Sequence, residues 1–361
     1  MNRNFRILSV SNKAEWKDVL YRIGAYDFYH LPEYHGLHEK RGEGLGRLVI
    51  YEEGDKLVAL PLLIREVSTI PGLEEFGDYR DATSVYGYPG PLANVHGRAD
   101  EEFLGQFAQL LDSYARSQNW VSVFSRLHPL LANHQLLTEI GSVFGLSDTI
   151  AIDLTIPPDE QIVRYRKSHR YEIRRARREG IEVIIDTNWE FYASFVEMYL
   201  DTMRRVGAST HYFFDQSYFD GLRRALENHL HLFVARMGGQ LCAASLFVLT
   251  ADIVQYHLSA SNEDCLKWAP SKLIIDESRK WAISNNARWL HLGGGVGSSE
   301  DALFRFKAGF SPERYRFHIW KWIVNPDLYE QMTRQRQHWL TAQDIPIPQS
   351  NYFPAYRIDT L

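Results

Sequence analysis

Short apolar runs broken by glycine occur twice along the chain, and the two places look alike. Leu48 to Tyr51, Gly54 and Leu57 to Leu63 read as strand, tight turn and strand; Leu232 to Ala235, Gly238 and Leu241 to Phe247 repeat that rhythm without a gap. Each hairpin is followed by a helical pattern that leads into an apolar strand. These are Glu101 to Gln118 before Trp120 to Phe124, and Lys272 to Asn285 before Trp289 to Leu292. The second copy adds a strand, Ile253 to Ser259, and ends in another, Tyr315 to Val324. A repeat this long points to duplication of a mixed unit, since solenoids use shorter periods and more copies. The order of elements predicts an α+β fold with helices packed on a sheet in each half.

Punctuation places the boundaries. Ile156-Pro157-Pro158 breaks the chain, and a long helical stretch is expected from Asp159. We therefore expect a first domain over 1–155, a second over 156–325, and a tail, 326–361, that packs back on the first. Pro326 to Thr341 reads as the tail's helix and Ile345 to Pro348 as an extended end.

At 361 residues, 45% hydrophobic and 24% charged, the chain has the size for two cores and the composition of a globular protein. No apolar run reaches the roughly 18 residues of a membrane span, so membrane contact could only be peripheral. The first residues lack the apolar stretch of a secretory leader. Cys242 and Cys265 give neither a disulfide framework nor a metal-ligand spacing, and a cytoplasmic location is expected. The 14 histidines are scattered, and no metal site is expected. A net charge of −5 argues against a DNA-binding protein and confines any nucleic-acid contact to a local patch.

One such patch is evident. Arg164 to Arg178 contains Arg164, Arg166, Lys167, Arg170, Arg174, Arg175, Arg177 and Arg178, with Tyr165, Ile173 and Ala176 as an anchoring stripe and Gly180 as a stop. Arg170, Arg174, Arg177 and Arg178 would share a face suited to phosphates; a merely solvated basic face fits equally well. Tyr86-Gly-Tyr-Pro-Gly-Pro91 is a rigid aromatic loop able to line a cleft through Tyr86 and Tyr88 or simply to pack.

The chemistry concentrates after the strand Trp289 to Leu292. His291 and the triple glycine Gly293, Gly294 and Gly295 precede a helix that Ser298 and Asp301 start as a capping box and Gly309 stops. Lys307 sits in that helix among Leu303, Phe304 and Phe310. Burying an ammonium is costly, so its place there suits an anionic or carbonyl-bearing guest; a lysine snorkelling from a helix C-terminus is the plainer reading. There is no P-loop, dinucleotide fingerprint or nucleophile elbow, which leaves transfer chemistry without a covalent nucleophile.

The ordered set HLPEY (30–34), YGYPGP (86–91), RLHP (126–129), KSHRYEIRRARREG (167–180), YLDTMRR (199–205), YHLSA (256–260), HLGGG (291–295) and FKAGF (306–310) resembles the Fem-like branch of the GNAT acyltransferase superfamily. That branch includes peptidoglycan-bridge aminoacyltransferases and acetyltransferase-6 relatives, and the likeness covers nearly the whole chain. It implies two tandem GNAT-like domains and an acyltransferase with no bound cofactor. The implied reaction moves an aminoacyl group from aminoacyl-tRNA to an amine on a nucleotide- or lipid-linked precursor. Lys307 would hold the transferring carbonyl, Lys40 or Arg41 substrate phosphates, and Arg204 or Arg205 would be their partner in the second domain. Lys167, Arg170, Arg174, Arg177 and Arg178 would face the tRNA. The amine's proton would go to a substrate carboxylate, to Asp301, or to His257, which with Tyr256 would line the cleft.

The chain lacks the inserted helical hairpin of some bridge-forming members. It also lacks the glycines of a GNAT pyrophosphate loop, since Ala260 to Ser271 contains none. Two other functions are kept beside the first: an acyl-CoA-dependent N-acyltransferase acting on a sugar amine, and a non-catalytic module binding a nucleotide-linked sugar or peptide.

Overall fold

A computed structural model describes residues 4–95, 100–347 and 351–358. In chain order the elements begin β1 (Phe5–Ser9), α1 (Lys13–Ile23), α2 (Pro32–Lys40), β2 (Leu45–Glu53), β3 (Lys56–Glu66), β4 (Arg80–Thr83), β5 (Leu92–Ala93), α3 (Glu101–Ser117), β6 (Trp120–Leu127) and β7 (Ser142–Asp153). They continue α4 (Pro158–Arg164), α5 (Lys167–Arg178), β8 (Glu182–Ile185), α6 (Tyr192–Arg205), α7 (Gln216–Ala225), β9 (Leu230–Met237), β10 (Gln240–Thr250) and β11 (Ile253–Ser261). Last come α8 (Pro270–Ser284), β12 (Trp289–Gly293), α9 (Ala302–Lys307), β13 (Tyr315–Ile323) and α10 (Pro326–Ala342).

Contacts divide the chain into two units, Met1–Leu146 with Phe317–Leu361, and Ser147–Arg316. In the first, the strands run β1-β2-β3-β4-β6-β13, with β5 beside β3. In the second they run β8-β9-β10-β11-β12-β7. The two orders correspond strand for strand, and each contains one parallel pair: β4 with β6, and β11 with β12. The α+β tandem fold is therefore present, and the repeat is fuller than the apolar pattern disclosed. The first unit has its own third strand, β4, but its four residues Arg-Asp-Ala-Thr carry too little apolar signal to announce it.

The units meet the sequence at Leu146/Ser147 and Arg316/Phe317 instead of 155/156 and 325/326. The difference is one strand at each junction. β7 leaves the first unit and pairs with β12 of the second, while β13 leaves the second and pairs with β6 of the first. The tail lies on the first unit. Gln335 and Arg336 on α10 donate to Gly72 O and Pro71 O, at 3.0 and 2.8 Å, and Arg357 pairs with the buried Asp81. Ile345 to Ile347 are described; Pro348 lies outside the described residues.

Both hairpin turns use a left-handed glycine, Gly54 at φ 58° and Gly238 at φ 55°, a conformation an L side chain resists. The apolar runs on either side fill the two cores. In the first, Val49, Leu60 and Leu62 pack with Phe107 and Leu111 of α3. In the second, Phe233, Phe247 and Val254 pack with Ile274 of α8 and Phe304 of α9. Each fully buried Leu or Phe is worth about 1.5–3 kcal/mol, which holds the glycine-rich end of β12 on a rigid base.

Candidate active site

β11 and β12 are paired only from Ile253/Trp289 to Gln255/His291. Beyond that point the two strands share no ladder, leaving Tyr256 and His257 on one and Leu292 and Gly293 on the other. The buried His291 anchors the fork, its Nδ1 2.7 Å from Gln255 Oε1. His257 is the extra residue of a bulge, because Phe247 opposes Tyr256 and Leu246 opposes Leu258. The half-buried Tyr256 ring lies 5.3 Å from Phe247, and burial pushes its hydroxyl pKa up against the Ser259 and Ser245 hydroxyls.

After Gly293, at φ 78°, the chain winds through a 3-10 turn, Val296–Ser298, into α9. Asp301 is itself the N-cap, so the expected capping box is replaced by a simpler device. Its Oδ1 accepts from Phe304 N at 2.8 Å and its Oδ2 from Val296 N at 3.2 Å, while Ser298, at φ 64°, belongs to the preceding turn. With both oxygens on backbone donors, Asp301 serves as a clamp on this loop. A Cβ at Gly295 would overlap Ser299 O and the Asp301 carboxylate, so only glycine lets the loop close.

Lys307 ends α9 with 8% of its surface exposed. Its Nζ donates to Gly294 O at 2.7 Å, and a Cβ at Gly293 would stand 3.3 Å from it. Burial lowers its pKa from 10.5 to about 8, opposed only by the charge of Asp301. The triple glycine and Lys307 are thus one device, a loop without side chains around a desolvated amine. Such a cation costs no reorganisation when charge develops on a carbonyl oxygen beside it.

Residues 163–308, which span the fork, the loop and Lys307, match the acetyltransferase (GNAT) domain family. The structure of FemX shares the fold at a TM-score of 0.68 and 15% identity, over 90% of this chain and 99% of that one. The chain is an acyltransferase that carries a GNAT domain and shares the fold of FemX. L-PGS from Bacillus licheniformis aligns at a TM-score of 0.53 and 13% identity, over 89% of this chain and 94% of that one. A C-terminal domain described as that of a lysylphosphatidylglycerol synthetase from Agrobacterium fabrum gives 0.53 and 13%, over 93% and 96%. No curated protein matches by sequence.

Within this acyltransferase the other candidate residues are placed as follows. Arg204 pairs with Asp201 at 2.6 Å on an exposed face. Arg205 donates to Ser261 O at 3.0 Å and lines a cavity of about 400 Å3 with Glu197, Asp201, Asn262 and Glu263. Lys40 and Arg41, in the first unit, are exposed at the end of α2, and Arg41 pairs with Glu43 at 2.7 Å. The 86–91 loop of that unit is held from several sides. Tyr34 Oη donates to Tyr86 O at 3.2 Å, and Pro89 O accepts from His30 Nε2 and Asn133 Nδ2, at 2.9 and 2.8 Å. Tyr88 meets Tyr29 and Phe317 edge-on. Below the loop His128 contacts Asp27 at 3.0 Å with both side chains fully buried. The HLPEY and RLHP segments therefore build a support for the tyrosine loop, a role no single residue type announced.

The basic stretch breaks into α4 and α5 at the extended Tyr165 and Arg166. Arg177 leaves the expected phosphate face for Asp276 and Glu277, and Arg175 bonds Lys267 O. His169, unassigned from sequence, donates from Nε2 to Phe306 O at 2.9 Å. Its ring occupies the space a Cβ on Gly309 would need. Among the described residues no cluster of three or more His, Cys, Asp or Glu is placed to hold a metal, and no helix is long and apolar enough to cross a membrane.

Proposed function

We propose that the chain is a cytoplasmic aminoacyltransferase that takes an aminoacyl group from aminoacyl-tRNA and forms an amide on a nucleotide-linked, lipid-linked or peptidic envelope precursor. The observation that carries this reading is Lys307, a desolvated ammonium against the triple glycine, which among the described residues spends one of its three donors on Gly294 O. The acceptor nitrogen attacks the ester carbonyl and a C–N bond forms. Charge grows on the carbonyl oxygen, where the Lys307 ammonium stabilises it. Collapse breaks the C–O bond to the ribose, whose oxygen takes a proton. Asp301 is occupied by Val296 N and Phe304 N, so the amine's proton passes to His257 or to a carboxylate of the substrate. Lys40, Arg41, Arg204 and Arg205 are assigned to acceptor phosphates. The lysylphosphatidylglycerol synthetase likeness, by its name a protein that places an aminoacyl group on a lipid, supports this class of acceptor.

The acetyltransferase family match favours a second reading, acyl-CoA as donor and a sugar amine as acceptor. The segment between β11 and α8 speaks against it. It forms a 3-10 turn, Glu263–Trp268, in which Asp264 N donates to Asn262 Oδ1, Cys265 N to Asn262 O and Ala269 N to Leu266 O, and Pro270 (which has no N–H) opens α8. Few backbone donors are left there to cradle a pyrophosphate.

Turnover of charged tRNA and of acetyl-CoA, each with a panel of amine acceptors, separates the two donors. Lys307→Met is expected to lower turnover at least 100-fold while the fold is retained. Unchanged turnover in that variant would remove Lys307 from the mechanism.

A further inference from the structure

The exposed face of α5 has a composition that the chemistry at Lys307 does not explain. At 100° per residue, Lys167, Tyr171, Arg174 and Arg178 fall within a sector of about 60°, opposite the buried His169, Ile173 and Ala176. Arg170 borders the sector. Among the described residues, none of Lys167, Arg170, Arg174 and Arg178 is in an ion pair, whereas the flanking Arg177, Glu172 and Lys272 all are. Tyr171, with 55% of its surface exposed, stands midway along this row, at its edge. The stripe is about 16 Å long, enough for several consecutive phosphates.

A row of cations outside any ion pair, beside an exposed aromatic ring, is the arrangement that holds a single-stranded nucleic acid, the cations on its phosphates and the ring under a base. A bilayer surface fits less well. The apolar residues of α5 are spent on the core, and its outer face offers no Leu or Phe to insert. The stripe is also joined to the reacting end of the molecule. Arg166 N donates to Gly309 O at 2.9 Å, Arg166 Nη1 to Arg305 O at 3.2 Å and His169 to Phe306 O, so the first turn of α5 is bonded to the turn that carries Lys307.

We infer that the single-stranded 3′ end of the donor RNA lies along this face of α5, with Tyr171 stacking under one of its bases. The inference rests on the aminoacyl-tRNA reading of the donor.

The test is a polarisation titration of the full chain with a labelled RNA hairpin ending in an unpaired 3′ ACCA, repeated at several salt concentrations. Tyr171→Ala is expected to weaken binding about fivefold or more without changing the salt slope, and Tyr171→Phe to bind as the parent does. Arg174→Gln with Arg178→Gln is expected to reduce the slope of log K against log salt by about 1.5. All of these positions are exposed, and unchanged thermal melts will establish that the variants are folded. Parent-like binding by both the alanine and the glutamine variants overturns the docking face and leaves the donor reading standing. Absence of RNA binding in the parent overturns both. Binding of phosphatidylglycerol vesicles through Arg174 and Arg178, with no RNA binding, replaces the RNA with a lipid surface.

Discussion

A lysine in the place of Lys307 works against folding. Keeping it charged at pH 7 with a pKa of about 8, against 10.5 in the unfolded chain, costs roughly 3 kcal/mol. The bond to Gly294 O returns about 1–2 kcal/mol of that. Lys307→Met is therefore expected to raise stability by about 1–2 kcal/mol, read by denaturant unfolding at pH 7, in the same variant that loses turnover. The pH dependence has a definite sign. Between pH 8 and 10.5 the unfolded chain holds a proton that the folded chain has released, so stability contributed by this group rises with pH through that window. The methionine variant should lack that rise; a rise of equal size in both proteins would place the titration elsewhere. Asp301 and the three glycines make the same point from the other side, since their side chains, or lack of them, suit the loop alone.

Between α5 and α9 the coupling is steric and can be measured. Gly309→Ala drives a methyl into the His169 ring and is expected to cost about 1–3 kcal/mol. His169→Ala should cost a similar amount by cavity and by loss of the bond to Phe306 O. The double variant should be less destabilised than the sum, by at least 0.5 kcal/mol in thermal or denaturant unfolding; strict additivity would mean that the two helices are not locked through this contact. This contact was not legible in the sequence, because residues 140 apart give no periodic signal. The elements themselves were more legible. The two hairpins announced themselves through long apolar runs around a glycine, and Lys307 through its apolar neighbours. What was missed had one cause each: β4 is too short and polar, Ser298 resembled a cap that Asp301 supplies, and a run of arginines did not reveal which of them neighbouring carboxylates would claim.

For the molecule as a whole, the returning strand β13 means that the first unit is built from two separate pieces of sequence, whereas the second, Ser147–Arg316, is continuous. A fragment ending at Leu146 has no β13 and no tail, so Trp320, Met332 and Tyr356 are missing from its core. That fragment is expected to stay unfolded by circular dichroism and proton spectra. A chain joining 1–146 to 317–361 through a short flexible linker should fold; if the first fragment folds alone, the returning strand is dispensable. Composition could not disclose this arrangement, since pairing between distant strands leaves the local pattern of β7 and β13 unchanged.

The same connectivity sets a clock on synthesis. While a ribosome makes the chain, the first unit has emerged to Leu146 with β6 still lacking its outer neighbour, and the missing strand lies beyond the 170 residues of Ser147–Arg316. At about 5–20 residues per second that is a wait of roughly 10–30 s with an open sheet edge, a template for pairing with other chains. The second unit can close first because β7 precedes it. The half of the enzyme that bears Lys307 is therefore finished before the half that begins the protein, and overproduction should favour a nascent-chain chaperone at that exposed edge.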